Sequence, residues 1–232
     1  MKKLIAILLI LSVCKSIAQT EPGLRAGIKG SYNSTWIINQ SVSDAPDTTY
    51  IPSFGYTIGC GIRYDFIPHL GVATDFLLTT HKQSYGNDGT GSDWTIYKKF
   101  NLMTLNFLLR YSSEMGFFVE LGPQYNILKK GSESMDMYFP QPINDFEIVY
   151  SNRDITDNFT KSHLSYIFGF GGEWDLTENF YILSGLRFNY SMVDALSETG
   201  KKNDSIFRNH NDSPSNFAWG GVLLGVFYRF GE

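Results

Sequence analysis

The charged residues of this sequence that could do chemistry together sit in alternation with apolar residues. Arg25, Lys29, Arg63, Arg110, Arg187 and Arg229 fall on one set of alternate positions, and Asp65, Asp75, Glu120, Glu173 and Asp175 share that set. In a strand successive side chains point to opposite faces, so these groups would project from one side of a sheet. If that side is enclosed, the cations and anions must pair with one another, because an unpaired buried charge is heavily penalised. A second local pattern is His163-Leu164-Ser165, a base and a hydroxyl two residues apart. An acid is needed to orient the imidazole. Glu173, eight residues on, would lie roughly 26 Å away at about 3.3 Å per residue of strand, too far to do so. That leaves Glu147 or another loop acid. A third candidate is the stretch 130–162, where Glu133, Asp136, Asp145, Glu147, Asp154 and Asp157 stand against Lys130, Arg153 and Lys161, with Met135, Met137, Tyr138 and Phe139 among them. Such a loop suits a partner, calcium or a glycan, or plain solvation, and its carboxylates do not follow EF-hand spacing. His210 beside Asp212 and Ser213 forms no recognisable catalytic pattern, and the sequence shows neither a glycine-rich phosphate loop nor a metal-ligand cluster. Neither a cofactor nor a catalytic or metal site is expected.

Eight strand-like segments position these residues. They run over about 24–36, 54–66, 70–83, 95–111, 117–129, 163–176, 180–193 and from near 215 to Phe230. The clearest alternates Phe54, Tyr56, Ile58, Cys60, Ile62, Tyr64 and Phe66 with Gly55, Thr57, Gly59, Gly61, Arg63 and Asp65. The last puts Val222, Leu224, Val226, Tyr228 and Phe230 on one face. Pro123, which lacks a ladder donor, predicts a bulge or imperfect pairing in the fifth segment. The connections after the second, fourth and sixth segments are tight turns, and the others (37–53, 84–94, 130–162 and 194–214) are long. Strict alternation of short and long connections fits an up-and-down barrel with turns at one rim and loops at the other.

The side that faces inward follows from volume. An eight-stranded barrel has room inside for little more than its side chains. The polar face is glycine-rich (Gly27, Gly55, Gly59, Gly61, Gly71, Gly122, Gly169, Gly171, Gly185, Gly221 and Gly225), whereas the apolar face carries Phe54, Tyr56, Phe66, Phe76, Phe107, Tyr125, Phe168, Phe170, Trp174, Phe188 and Tyr228. The bulky set belongs outside, against lipid. Aromatics fall near both rims with aliphatic residues between them, as membrane interfaces select. Phe217 and Trp219 read as lumenal and Gly30 and Gly172 as lipid-facing, which predicts a bulge or register slip.

The chain has 232 residues, 22 glycines, 16% aromatic and 18% charged residues, and a formal net charge of −4. That composition suits one ordered domain and gives no basic surface for nucleic acid. Residues 1–18 read as a cleaved signal peptide and 19–232 as the barrel domain: Lys2 and Lys3 precede an apolar run from Leu4 to Val13, and Ser16-Ile17-Ala18 supplies a small-x-small cleavage site. Cleavage after Ala18 removes Lys2, Lys3 and Lys15 and takes the formal charge from −4 to −7. The alternative is lipoprotein processing at Cys14, for which Leu11-Ser12-Val13-Cys14 is half a lipobox. With the leader gone, Cys60 is the one cysteine left, so an intrachain disulfide and a cysteine zinc site are excluded.

The Ala18-Gln19 junction, the hairpin-paired strands and the terminal Gly225-x-x-Tyr228-x-Phe230 resemble the porin-like outer-membrane β-barrel proteins of Bacteroidota, including PorT-like members, and more loosely OmpA/OmpX-type barrels. The resemblance implies an all-β, eight-stranded antiparallel transmembrane barrel in a bacterial outer membrane. It implies that Gly225, Tyr228 and Phe230 form the signal read by the barrel-assembly machinery, although Gly231 and Glu232 follow where many members stop. Outer-membrane lipid and lipopolysaccharide are the expected surroundings, with envelope proteins contacted through the long loops and no nucleic acid. The implied role is structural or interactive, with a non-conducting lumen. The alternatives are an adaptor in a secretion machine, as PorT-like members imply, and a lipid-modifying enzyme, since His163-Leu164-Ser165 is similar to the His-x-Ser of outer-membrane lipid A deacylases.

Overall fold

The structure, a computed structural model, describes residues 22–46, 48–87, 93–139, 145–209 and 212–230. The expected leader with Cys14, His210 and the residues after Phe230 lie outside the described residues, as do the side chains of Asp145 and Glu147. Among the described residues ten strands are formed: β1 (Gly23–Ile38), β2 (Thr49–Ile51), β3 (Ser53–Ile67), β4 (Leu70–Gly86), β5 (Asp93–Ser112), β6 (Phe117–Phe139), β7 (Asp145–Asp154), β8 (Ser162–Asp175), β9 (Phe180–Ser191) and β10 (Asn216–Phe230). Eight of them close a ring in the order β1-β3-β4-β5-β6-β8-β9-β10, every neighbour antiparallel. Closure is made by β1 on β10, continuous from Leu24↔Phe230 to Ile38↔Asn216. No edge of the ring is left open, the condition for placing strands in lipid.

The ring strands are 12 to 23 residues long, whereas about 9–11 tilted residues cross a bilayer. The excess rises above the membrane at the loop end. Exposed Tyr32, Phe54, Tyr56, Tyr125, Tyr166 and Tyr190 ring that level, and Tyr64, Phe66, Tyr111, Phe117, Phe180 and Phe230 ring the turn end. Between them Ile28, Ile58, Leu78, Leu121 and Leu224 lie exposed on the outside. Apolar residues at 39–69% exposure on one face, against charged ones at a few per cent on the other, are an inverted protein stabilised by lipid on the outside.

Two expectations are corrected and a third holds in part. Phe217 and Trp219 are indeed lumenal and Gly30 and Gly172 lie on the outer phase, yet β1, β8 and β10 keep unbroken register at these positions. Gly172 is instead covered by the Trp174 ring, which a Cβ there would meet at 2.8 Å. Pro123 makes no bulge, but the pairing there is imperfect as expected: the ladder to β5 skips Gly122 and Pro123. Pro123 pairs with Tyr166 on one side, and on the other the ladder steps from Leu109↔Leu121 to Asn106↔Gln124 without a change of offset. The β5–β6 irregularity falls higher, where Asn101↔Lys130 follows Leu102↔Leu128. Finally, the long connections are folded. β6 continues to Phe139 and pairs with β7, and β2 pairs with the top of β4. Two short helices, α1 (Gln40–Ser43) and α2 (Glu198–Asn203), are capped by Asn39 and Ser197 side chains. The strands outlast the apolar alternation because backbone pairing continues through polar residues such as Ser132, Ser134 and Asp136.

Candidate functional site: the filled lumen and its cap

At the turn end the lumen is filled by one linked chain of charges. Arg25 faces Asp65 at 3.2 Å and Glu173 at 3.7 Å. Arg63 reaches Asp65 at 2.7 Å and Glu173 at 2.5 Å. Arg110 also binds Glu173, and donates to Glu120 at 3.0 Å. Arg187 donates through Nε to Glu120 at 2.9 Å and through Nη1 to Asp75 at 3.2 Å, and Lys29 ends the chain on Asp75 at 2.5 Å. None of these nine side chains is more than 4% exposed. Arg229 and Asp175 stand apart as a separate, partly exposed pair at the rim.

The strands make room for this chain by opposing small residues to large ones. A Cβ on Gly61 would fall 2.6 Å from Asp75 Oδ1 and 2.9 Å from Lys29 Cε, and one on Gly27 would fall 2.7 Å from the Phe227 ring. Phe118, Tyr181, Leu183, Leu223 and Phe227 form an apolar wall beside the charges, which the glycine-rich reading of the inner face did not include. The wall also takes part electrostatically: the Arg110 guanidinium lies 3.6 Å from the Phe118 ring centroid and Arg229 4.7 Å from that of Tyr181, within cation–π range.

Above the charges the filling turns neutral. Asn33 donates to Thr57, which shares a hydrogen bond with Thr79, and Asn126 and Asn189 each donate to Ser165 Oγ at 2.8 Å. Next comes a layer of rings, with Phe217 edge-on to His81 at 4.9 Å, stacked with His163 at 5.2 Å and edge-on to Phe100 at 5.2 Å. A space of about 10 Å³ remains between these layers. Ser165 and His163 are therefore close in sequence but differently engaged. Ser165 Oγ is held by two amides, and His163 Nδ1 has no hydrogen-bond partner among the described residues. Among those residues no group of three His, Cys, Asp or Glu could hold a metal ion.

The loop end is closed by a second core. Ile37, Val42, Tyr85, Ile96, Phe100, Ile155, Phe159, Leu196, Ile206 and Phe207, contributed by three strand tops and three connections, are all buried together. One ion cluster lies within it. Lys98 of β5 is fully buried and binds Glu133 of β6, and it reaches Asp204, just after α2, at 2.9 Å from both carboxylate oxygens. Glu133 also accepts from Tyr150 at 2.5 Å, from Ser205 at 2.6 Å and from Arg153. Burial alone would raise the Glu133 carboxyl, but the Lys98 ammonium and the hydrogen bonds from Lys98, Ser205 and Tyr150 outweigh it and hold its pKa below the usual value. Lys98 and Asp204 had not been singled out from the sequence, and Glu133 only as one acid of the 130–162 stretch.

At the C-terminal end Gly225 faces the lumen against Lys29, while Tyr228 points outward in edge contact with Phe180 and Phe230, at 5.0 and 4.9 Å.

The closed ring, its lipid-facing outside and its filled inside set the frame for comparison with known proteins. The family model described as outer membrane protein beta-barrel domain matches residues 4–230. The chain belongs to this family. It is an outer-membrane β-barrel protein, and the outer membrane is its location. No curated protein matches it in sequence. Among solved structures it is similar to Neisserial surface protein A (14% identity, 90% of this chain and 97% of that one, TM-score 0.40). It is also similar to Ail, the attachment invasion locus protein of Yersinia pestis (15%, 90% and 99%, TM-score 0.37), and to OprG from Pseudomonas aeruginosa (12%, 92% and 99%, TM-score 0.43).

Proposed function

We propose that this barrel is a non-conducting, non-catalytic platform that holds a folded extracellular cap at the membrane surface for interaction with envelope components. The observation that supports this most strongly is the linked run of nine buried charges across the lumen. Opening a path through it would separate ion pairs in a low-dielectric interior, at several kcal/mol for each broken partner. The cap core above it gives the connections a fixed shape, which a purely solvated loop would not need. A catalytic reading finds less support, since Ser165 Oγ is occupied by Asn126 and Asn189 and buried.

On this reading the outer face contacts outer-membrane lipid and lipopolysaccharide, and Gly225, Tyr228 and Phe230 serve recognition by the assembly machinery. The Bacteroidota and PorT-like resemblance makes a secretion-machine adaptor the form of platform to test first. Photo-crosslinkers placed at exposed Asp154 or Lys202 of the cap should capture an envelope protein or glycan in native outer membranes, and one at exposed Met115 on the turn rim should not. Equal yields at all three positions would refute the platform.

A further inference from the structure

A cavity of about 330 Å³ opens on the outer side of the cap, inside the roughly 300–1,000 Å³ range of small-ligand sites. Five chain segments meet there: Thr48 ahead of β2, the start of β5, the tops of β6 and β7, and the connection after α2. Its floor is apolar, with buried Ile96 and Ile206 beside Met135. Its walls are polar and aromatic.

Two kinds of wall group have polar atoms with no partner among the described residues. Trp94 is half-buried and packs against the cap core, while its ring makes no ring or cation–π contact and its indole N–H donates to no group among the described residues. Tyr150 is different: its face is covered by the Arg153 guanidinium at 4.3 Å from the centroid and its hydroxyl is bound to Glu133. On the polar side Asn203, Asn209 and Arg208 are exposed, and their side chains make no hydrogen bond or ion pair among the described residues. Charge is uneven as well. Beneath the cavity Lys98 pairs with Glu133 and Asp204, and in its wall Arg153 pairs with Glu133, whereas Arg208 has no ion pair among the described residues.

An aromatic side chain over an apolar floor takes the C–H side of a sugar ring, asparagine side chains suit hydroxyls, and a guanidinium with no ion pair among the described residues suits an oxyanion through charge-assisted hydrogen bonds. We infer that this cavity binds a single acidic pyranose unit of a surface or extracellular glycan, with the ring on Trp94, the oxyanion at Arg208 and the hydroxyls at Asn203 and Asn209. The inference rests on the platform reading above and names the class of ligand the cap would take.

The full barrel in detergent micelles, titrated separately with glucuronate, glucose, inorganic sulfate and an aspartyl dipeptide, provides the test by calorimetry and saturation-transfer NMR. Glucuronate should bind saturably and at least about tenfold more tightly than each of the other three, a difference of about 1.4 kcal/mol. Arg208→Gln should bring glucuronate down to the level of glucose, and Trp94→Ala should weaken both sugars about tenfold. Heat-modifiable gel mobility should be kept by both variants, since neither side chain belongs to the ring's filling. Absence of saturable glucuronate binding, affinity unchanged in both variants, or equal binding of sulfate or of the dipeptide would overturn the inference. If glucuronate fails while crosslinks at Asp154 and Lys202 persist, the sugar site falls and the platform stands.

Discussion

Two buried ion clusters share this barrel and are built in opposite ways. The lower one threads between strands whose register is fixed by closure of the ring, and each of its charges is at a position of regular alternation. The upper one, Lys98 with Glu133 and Asp204, ties two strand tops to an irregular connection across a long stretch of sequence. The first is embedded in the element that must form for the protein to enter the membrane at all. The second holds a cap on that element. Losing a partner in the first should therefore be felt by the whole barrel, and losing one in the second by the cap alone.

The largest expected effect is Glu173→Ala, which takes the shared carboxylate from Arg25, Arg63 and Arg110. A loss of about 3–5 kcal/mol is expected for a broken buried ion pair, read as a shift in urea-induced unfolding of the barrel in micelles. Lys98→Met should open the cap by a similar local amount, about 3 kcal/mol, while changing global unfolding by less than about 1 kcal/mol. Hydrogen exchange over 194–209 measures the first quantity and the urea midpoint the second. If Lys98→Met lowers the global midpoint as far as Glu173→Ala does, the two clusters are not separate units.

Acid sharpens the same comparison at smaller amplitude. The Glu133 pKa is depressed in the folded cap below its ordinary value of 4.5. Its contribution is therefore complete above about pH 4.5 and is lost as pH falls through the folded pKa. Protease cleavage within 194–209 should rise over that acid range and not between pH 6 and pH 8. The smallest effect is expected from Arg229→Gln. Its pair with Asp175 sits at the rim with side chains 17% and 24% exposed, so solvent screening should limit the cost to about 1 kcal/mol or less.

The contrast also accounts for what could be read from the sequence. The barrel was legible because lipid and lumen impose a strict period of two, which places Arg63 and Asp65, or Arg187 and Arg110, on the inner face by counting alone. In β5 the same counting runs on through Leu102 and Phe100 to Lys98, so one member of the upper cluster carried a signal. Glu133 did not. The irregularity between Leu128 and Lys130 shifts the inward phase of β6 from even to odd positions, with Leu128 and then Gly131 and Glu133 buried, and a one-residue shift inverts every assignment beyond it. Asp204 lies in a connection with no period at all. Its burial depends on Lys98 reaching it from a segment 106 residues away, and no local pattern encodes that.

The claim that both clusters seal the lumen is tested most directly by planar-bilayer recordings of the purified full barrel at neutral pH. Silent bilayers are expected from the native protein, with the nine linked charges and the cap in place. Stable, reproducible open steps from the native barrel would contradict a sealed lumen and with it the reading of this protein as a platform.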